Sequence, residues 1–429
     1  MKSQILWRVL CIMVVTFMLL SVCSCTPDVK GDDPSSLLSS ETNSSDETTS
    51  SLISPNTPSS NSTSSNGSSS NGSSSNGSSS RPTTSSKPSS DVTKVPTLPF
   101  SKGINVNRME TFLSDNPYGF FERGIESVTK ESTYTNIKAQ GFDHVRIPVN
   151  FYTAYYEAAT GKYKYTTEEI MKYVDTGIKL ATKHGLYVIL DFHGWFQIGA
   201  EANDIEEFLY CWTQVAKRYK DYSDKLVFEL LNEPWYTNGR PQPYLSDSAL
   251  NKMQADAIKI IRNTGSKNKD RLIICCTADG NKAWKLSALS LPDDDNLAVA
   301  IHEYEPYNFT HQNFAWAGLG NKTTTLAALG GFEKATSYDF GEIKKFMKKT
   351  GIPVVLNEFG VNLDKATDAD IKTYLSGITT FCKDNNIPWT YWQYDDEYNS
   401  EGTMSLYRKT SRFSKQGWDQ TALDALFLR

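Results

Sequence analysis

Eight short apolar runs, separated by longer amphipathic stretches within residues 99–429, predict an α/β fold whose parallel strands close into a (β/α)8 TIM barrel. Two further observations support that class. Polar residues that interrupt the pattern fall at the carboxyl ends of the runs, where such barrels place their chemistry. The first run, Gly103-Ile104-Asn105-Val106-Asn107, is not the glycine-rich phosphate turn expected of a doubly wound open sheet, the runner-up architecture.

The runs read as strands are 103–107, 144–149, 187–192, 226–231, 271–276, 297–301, 353–357 and 388–393. The clearest helix between them opens at Thr166, with Glu169 in capping-box spacing. It carries Ile170, Val174, Ile178 and Ala181 on one face.

The chain ahead of the barrel is different in kind. The full chain of 429 residues is only 39% hydrophobic, and the deficit is local: residues 33–98 are almost entirely Ser, Thr, Asn, Gly, Pro and Asp. Such a tract cannot bury enough apolar surface to offset ordering entropy. Asn-Gly-Ser-Ser-Ser recurs three times over 66–80, so residues 26–98 are read as a disordered, flexible linker. Residues 1–25 are read as a signal peptide. Lys2 and Arg8 accompany the apolar stretch 9–22, shorter than the roughly 20 residues a membrane span needs. Ser24-Cys25 resembles the lipidation site of a bacterial lipoprotein better than Val22-Cys23, which makes Cys25 the lipid-anchor candidate; plain cleavage and release is the alternative. The expectation is an exported monomer, extracellular or at the cell surface, that meets a membrane only through that anchor.

Residues 99–429 hold 38 basic and 42 acidic side chains without a basic run, which argues against nucleic acid as a partner. Cys211, Cys275, Cys276 and Cys382 form neither a Cys-x-x-Cys pair nor a Cys/His cluster, so no metal and no cofactor is expected. Buried free thiols are the favoured reading, with a disulfide to Cys211 or Cys382 left open. Of 51 aromatic residues, 49 follow Pro99, a density that suits sugar stacking and ordinary core packing alike.

The polar residues at the strand ends form a set. Strand two contains Arg146, strand three ends in His193 and strand four in Asn232-Glu233. Strand six ends in His302 and Tyr304, strand seven in Asn357-Glu358, and strand eight carries Trp392. Each alone has an ordinary explanation: a barrel salt bridge, a satisfied core histidine, a packed ring. Chance is a poor explanation for all of them at one end of six strands. Glu233 and Glu358 are the sharpest signal, because a charge at the end of a buried strand is costly unless paired or used. Two carboxyl groups facing each other across a substrate are what glycoside hydrolysis needs.

Residues 100–395 resemble the catalytic domain of glycoside hydrolase family 5, the cellulase family of retaining (β/α)8 enzymes. The matching stretches are His144-Val145-Arg146-Ile147-Pro148, Leu190-Asp191-Phe192-His193, Leu231-Asn232-Glu233-Pro234, His302-Glu303-Tyr304, Leu356-Asn357-Glu358-Phe359-Gly360 and Tyr391-Trp392. Many members carry a second histidine after the one on strand three; here that position is Gly194. The resemblance implies Glu233 as general acid/base and Glu358 as nucleophile. It implies Arg146 and Tyr304 as partners of Glu358, and His193 and His302 as neighbours of the reacting sugar. Asn232 would bind the sugar 2-hydroxyl and Trp392 would form the stacking floor. Trp195, Trp235 and Trp316, on loops after strands three, four and six, are candidates for further sugar subsites or for core packing. The activity implied is an endo-β-1,4-glucanase acting on a β-glucan. Mannanase, xyloglucanase and mixed-linkage glucanase are alternatives with the same pair. A non-catalytic carbohydrate-binding surface protein and a structural wall protein are alternatives of other classes.

Overall fold

The structure, a computed structural model, describes residues 95–106, 120–152, 154–155, 165–193, 202–234, 245–395, 401–408 and 417–429. The expected signal segment with Cys25, the linker up to residue 94, and both Trp195 and Trp235 lie outside the described residues.

The strands are β1 (Lys102–Asn105), β2 (His144–Val149), β3 (Tyr187–Phe192), β4 (Leu226–Glu229), β5 (Ile273–Cys276), β6 (Leu297–Glu303), β7 (Val354–Phe359) and β8 (Trp389–Tyr391). Each runs parallel to the next, and β1 pairs with β8 to close the barrel. The β2–β3 ladder is continuous from His144 opposite Tyr187 to Val149 opposite Phe192. β6 and β7 run further than the sequence pattern suggests, and their register shifts between Ile301 and His302. His302 and Glu358 therefore lie within strands, while Glu233 lies beyond the end of β4.

The period-two alternation of a strand sorts side chains between two cores. Val188, Leu190, Phe192, Leu226, Phe228, Val354 and Leu356 join the core between sheet and helices. Ile189, Val227, Ile274, Ala298, Ala300 and Val355 point inward and, with Phe100, fill the barrel floor. Two residues further along three of those strands, the inward positions become Asp191, Glu229 and Asn357, all fully buried. The interior thus changes from apolar to ionic within one layer.

His144 seals the floor. Its ring bonds Asp143 and Thr390 at 2.8 Å each. A Cβ at Gly103 would sit 2.1 Å from its Nε2, which is why that strand position has no side chain. Val95 and Leu98, just ahead of the expected boundary at 99, also pack against the domain.

The helix Thr167–Lys183 has the expected capping box, with Thr166 accepting from Glu169 N–H and Glu169 returning the bond to Thr166 N–H. It buries Ile170, Val174, Ile178 and Ala181. Helices Ala202–Tyr219, Asp247–Asn263, Phe332–Thr350 and Asp368–Asp384 occupy the crossovers after β3, β4, β6 and β7. Cys211, Cys275, Cys276 and Cys382 are buried free thiols. No helix among the described residues is long and apolar enough to cross a membrane.

Candidate active site

The site is built outward from Arg146. β2 points this side chain into the barrel, where it is fully buried. Its Nε and Nη2 donate to the two oxygens of Glu229 at 2.7 and 2.8 Å. Nη2 also reaches Asp191 at 2.9 Å and Asn232 Oδ1 at 2.9 Å. Nη1 donates to Asn105 Oδ1 at 2.9 Å and to Glu358 Oε1 at 2.6 Å. Burial opposes the charge on Arg146, but Asp191, Glu229 and Glu358 more than offset it and raise the guanidinium pKa well above its ordinary value. Burial dominates at Asp191, whose pKa is pushed up to about 7; Arg146 pulls against that shift and Glu233 adds to it.

Glu358 receives one donor on each oxygen, since Tyr304 Oη donates to Oε2 at 3.1 Å. Both oxygens are thereby fixed in direction. The following Phe359 packs edge-on against Trp389 and Tyr391. Gly360 passes so close to Trp392 that a Cβ would lie 2.6 Å from its carbonyl oxygen. That close approach accounts for the glycine in the Glu-Phe-Gly element.

Glu233 enters from the loop after β4 with a φ of 42°, a left-handed conformation uncommon for a residue with a side chain. Its Oε1 lies 2.7 Å from His302 Nδ1, and Glu358 Oε2 lies 3.5 Å from the same nitrogen. One atom each from Glu233, His302 and Glu358 fall within 4.8 Å of one another. The two glutamates thus meet at one rim of the barrel. Burial pushes the His302 pKa down to about 4, which keeps the ring neutral near pH 7.

The remaining expected residues gather around this pair. His193 Nδ1 bonds Asp191 Oδ2 at 2.8 Å, and the ring stacks on Trp392 with centroids 5.9 Å apart. Asn232 spends its Oδ1 on Arg146, and its Nδ2 lies 3.4 Å from His193 Nε2. Trp316 sits on the loop after β6, 69% exposed, stacked on Phe314 and edge-on to His311. That exposure argues against core packing for Trp316.

Sequence reasoning passed over several members. Asp191 and Glu229 lie inside apolar strands, where the sequence pattern does not set them apart, yet both pair with Arg146. The barrel salt bridge and the glutamate partner, alternatives for Arg146 in the sequence, are both present. Asn357 donates to Glu229 Oε2 at 2.8 Å, and Asn105 Nδ2 to the Asn357 carbonyl at 3.1 Å. Asn281, from the loop after β5, touches His302. The exposed Trp284 on that loop was also unmarked. An inward polar residue two positions beyond an inward apolar one was the available signal for Asp191 and Glu229.

A closed parallel barrel with two carboxyl groups converging at one rim defines a class of barrel proteins with a paired-glutamate site. Residues 98–398 match the profile described as cellulase (glycosyl hydrolase family 5), and the chain belongs to that family. It is 27% identical over 346 residues to "Endoglucanase A" of Clostridium longisporum, covering 76% of this chain and 63% of that one. It is 30% identical to "Endoglucanase A" of Ruminococcus albus over 67% of this chain and 79% of the relative. A xyloglucan-specific endo-beta-1,4-glucanase of Bacteroides ovatus is 28% identical, over 60% of this chain and 55% of its own length. Among solved structures, endoglucanase Cel5A from Thermotoga maritima superposes with a TM-score of 0.60 at 30% identity, covering 76% of this chain and 96% of that one. The chain spans 63% of the C. longisporum relative and 35% of "Endoglucanase H" of Acetivibrio thermocellus.

Proposed function

We propose that the protein is a retaining glycoside hydrolase that cuts internal β-1,4-glucosidic bonds of a β-glucan by double displacement. The observation that carries this reading is the approach of Glu233 and Glu358 to one imidazole nitrogen, at 2.7 and 3.5 Å, with one side-chain atom from each of the three residues within 4.8 Å of the others. Retention uses carboxyl groups about 5–5.5 Å apart, whereas inversion leaves about 6.5–9.5 Å for a water.

In the first step Glu358 attacks the anomeric carbon while Glu233 gives its proton to the departing oxygen, so the glycosidic bond breaks as the ester forms. In the second step Glu233 takes a proton from water, whose oxygen displaces Glu358. Arg146 and Tyr304 hold the Glu358 carboxylate in line. Asn232 offers its amide N–H to the sugar 2-hydroxyl, a contact that strengthens in the transition state. Trp392 and His193 form the floor and wall of the reacting subsite, and Trp316 and Trp284 are platforms for sugars further along the chain.

The relatives' names, endoglucanases and a xyloglucan-specific endoglucanase, support a β-glucan over other polysaccharides. The test is product release from carboxymethyl cellulose, xyloglucan, mixed-linkage glucan and glucomannan, with Glu358→Ala alongside. Turnover of a glucan by the parent and none by the variant is expected. Turnover of none by the parent would favour the binding-protein alternative. We also propose that the chain is exported and lipid-anchored at Cys25; loss of membrane association in Cys25→Ser would be expected, and unchanged association would contradict it.

A further inference from the structure

The loop after β5 contributes a residue behind the acid/base group. Asp279, Gly280 and Asn281 run through the left-handed region with φ of 56°, 81° and 57°. Gly280 N–H bonds the carbonyl of Pro234, next to Glu233 in sequence, at 3.3 Å. This winding delivers Asn281, fully buried, to the back of His302, where Asn281 Nδ2 lies 3.2 Å from His302 Nε2.

Electrostatics decides which way the amide faces. With its oxygen toward Nε2, that nitrogen would have to carry the ring proton. The Nδ1 lone pair would then point at carboxyl oxygens of Glu233 and Glu358, 2.7 and 3.5 Å away. With the amide N–H donating to Nε2, the proton sits on Nδ1 and the ring becomes a donor to Glu233. With Glu233 ionised, the second arrangement replaces a repulsion with a charge-assisted bond, at the cost of leaving Asn281 Oδ1 buried without a hydrogen-bond partner among the described residues. Glu233, Glu358, Glu229, Arg146 and His193 are the charged or titratable groups that act on the ring.

We propose that Asn281 is a positioning residue for the reaction: by donating to His302 Nε2 it holds that ring as the neutral Nδ1–H tautomer, which orients Glu233 and makes its proton easier to give up. The inference rests on the reading of Glu233 as acid/base. A hydrogen bond given to the carboxylate form lowers that group's proton affinity. Remove the donor and Glu233 holds its proton longer, while proton transfer to a poor leaving group loses its alignment.

Two variants separate this role from a structural one. Asn281→Gly keeps the left-handed backbone and deletes the amide. Asn281→Asp keeps the shape but presents only acceptors, so the ring takes a second proton and donates more strongly to Glu233. Both are compared with Glu233→Gln on 2,4-dinitrophenyl and phenyl β-cellobioside, after thermal melting shows that each is folded. The alkaline limb of kcat/KM should move to higher pH in Asn281→Gly and to lower pH in Asn281→Asp, by about half a unit or more. Asn281→Gly should lose about tenfold or more on the phenyl substrate, with much less change on the dinitrophenyl one, whose leaving group needs no proton. An alkaline limb unmoved in both folded variants, or equal loss on both substrates, would overturn the proposal. Absence of any leaving-group dependence in Glu233→Gln would instead remove the acid/base reading beneath it.

Discussion

Arg146 Nη1 lies 2.6 Å from Glu358 Oε1, while the opposite edge of the same guanidinium is clamped by Glu229 at 2.7 and 2.8 Å. One buried cation therefore ties the carboxylate at the barrel mouth to the ionic layer beneath it. Breaking a buried pair from one side typically costs about 3–5 kcal/mol, because it strands the partner charge.

Arg146→Lys tests that coupling. A single ammonium cannot reproduce a planar fork that meets Glu229, Asp191 and Glu358 together. The variant should melt at lower temperature, and kcat on a soluble β-glucan should fall by about 100-fold or more through loss of Glu358 positioning. Melting curves and initial rates measure both. Unchanged stability would show that the ionic layer does not depend on the fork.

Trp316 presents an apolar face to solvent beside the mouth, with Phe314 stacked behind it. Trp316→Ala should raise KM for long oligosaccharides severalfold, since a stacked aromatic ring contributes about 0.5–1.5 kcal/mol beyond burial. A short aryl glycoside that does not reach the ring should be turned over as before. Equal loss on both substrates would make Trp316 part of the scaffold.

Stability should decline from neutral to mildly alkaline pH. Burial pushes Asp191 up to about 7 and Glu303 up to about 8, Glu303 facing Asp339 in a closely paired set. Unfolded carboxyls titrate near about 4, so the folded chain holds more protons between those values, and the stabilisation is lost as pH rises through the folded ones. His302 and His311, pushed down by burial to about 4 and about 3, act in the opposite sense, but only below about pH 6.5. Urea unfolding from about pH 6.5 to 8 should therefore show stability falling by about 1 kcal/mol per unit. Glu303→Gln, which keeps the neutral form, should flatten the slope; a flat or rising profile in the parent would contradict the assignment.

The barrel was legible because its strands are apolar runs of ordinary length, and the rim residues because a polar group ending such a run demands an explanation. Arg146, His193, Asn232, Glu233, His302, Tyr304, Glu358 and Trp392 all converge for that reason. Asp191 and Glu229 were harder: each is flanked by apolar neighbours that face outward, so the run reads as continuous while every second side chain faces a different environment. Asn281 carries no sequence signal, because its position depends on three successive left-handed residues rather than on a periodic pattern. The extension of β6 and β7 through His302 and Glu358 was likewise hidden, since those polar positions are satisfied inside the barrel instead of by water.

In the proposed double displacement, Glu233 and Glu358 act in sequence on one anomeric carbon. Proton NMR of a cello-oligosaccharide during the first minutes of hydrolysis tests it most directly, by reading the anomer released before mutarotation. The new reducing end should appear first as the β-anomer. First appearance of the α-anomer would mean a single inverting displacement and would contradict it.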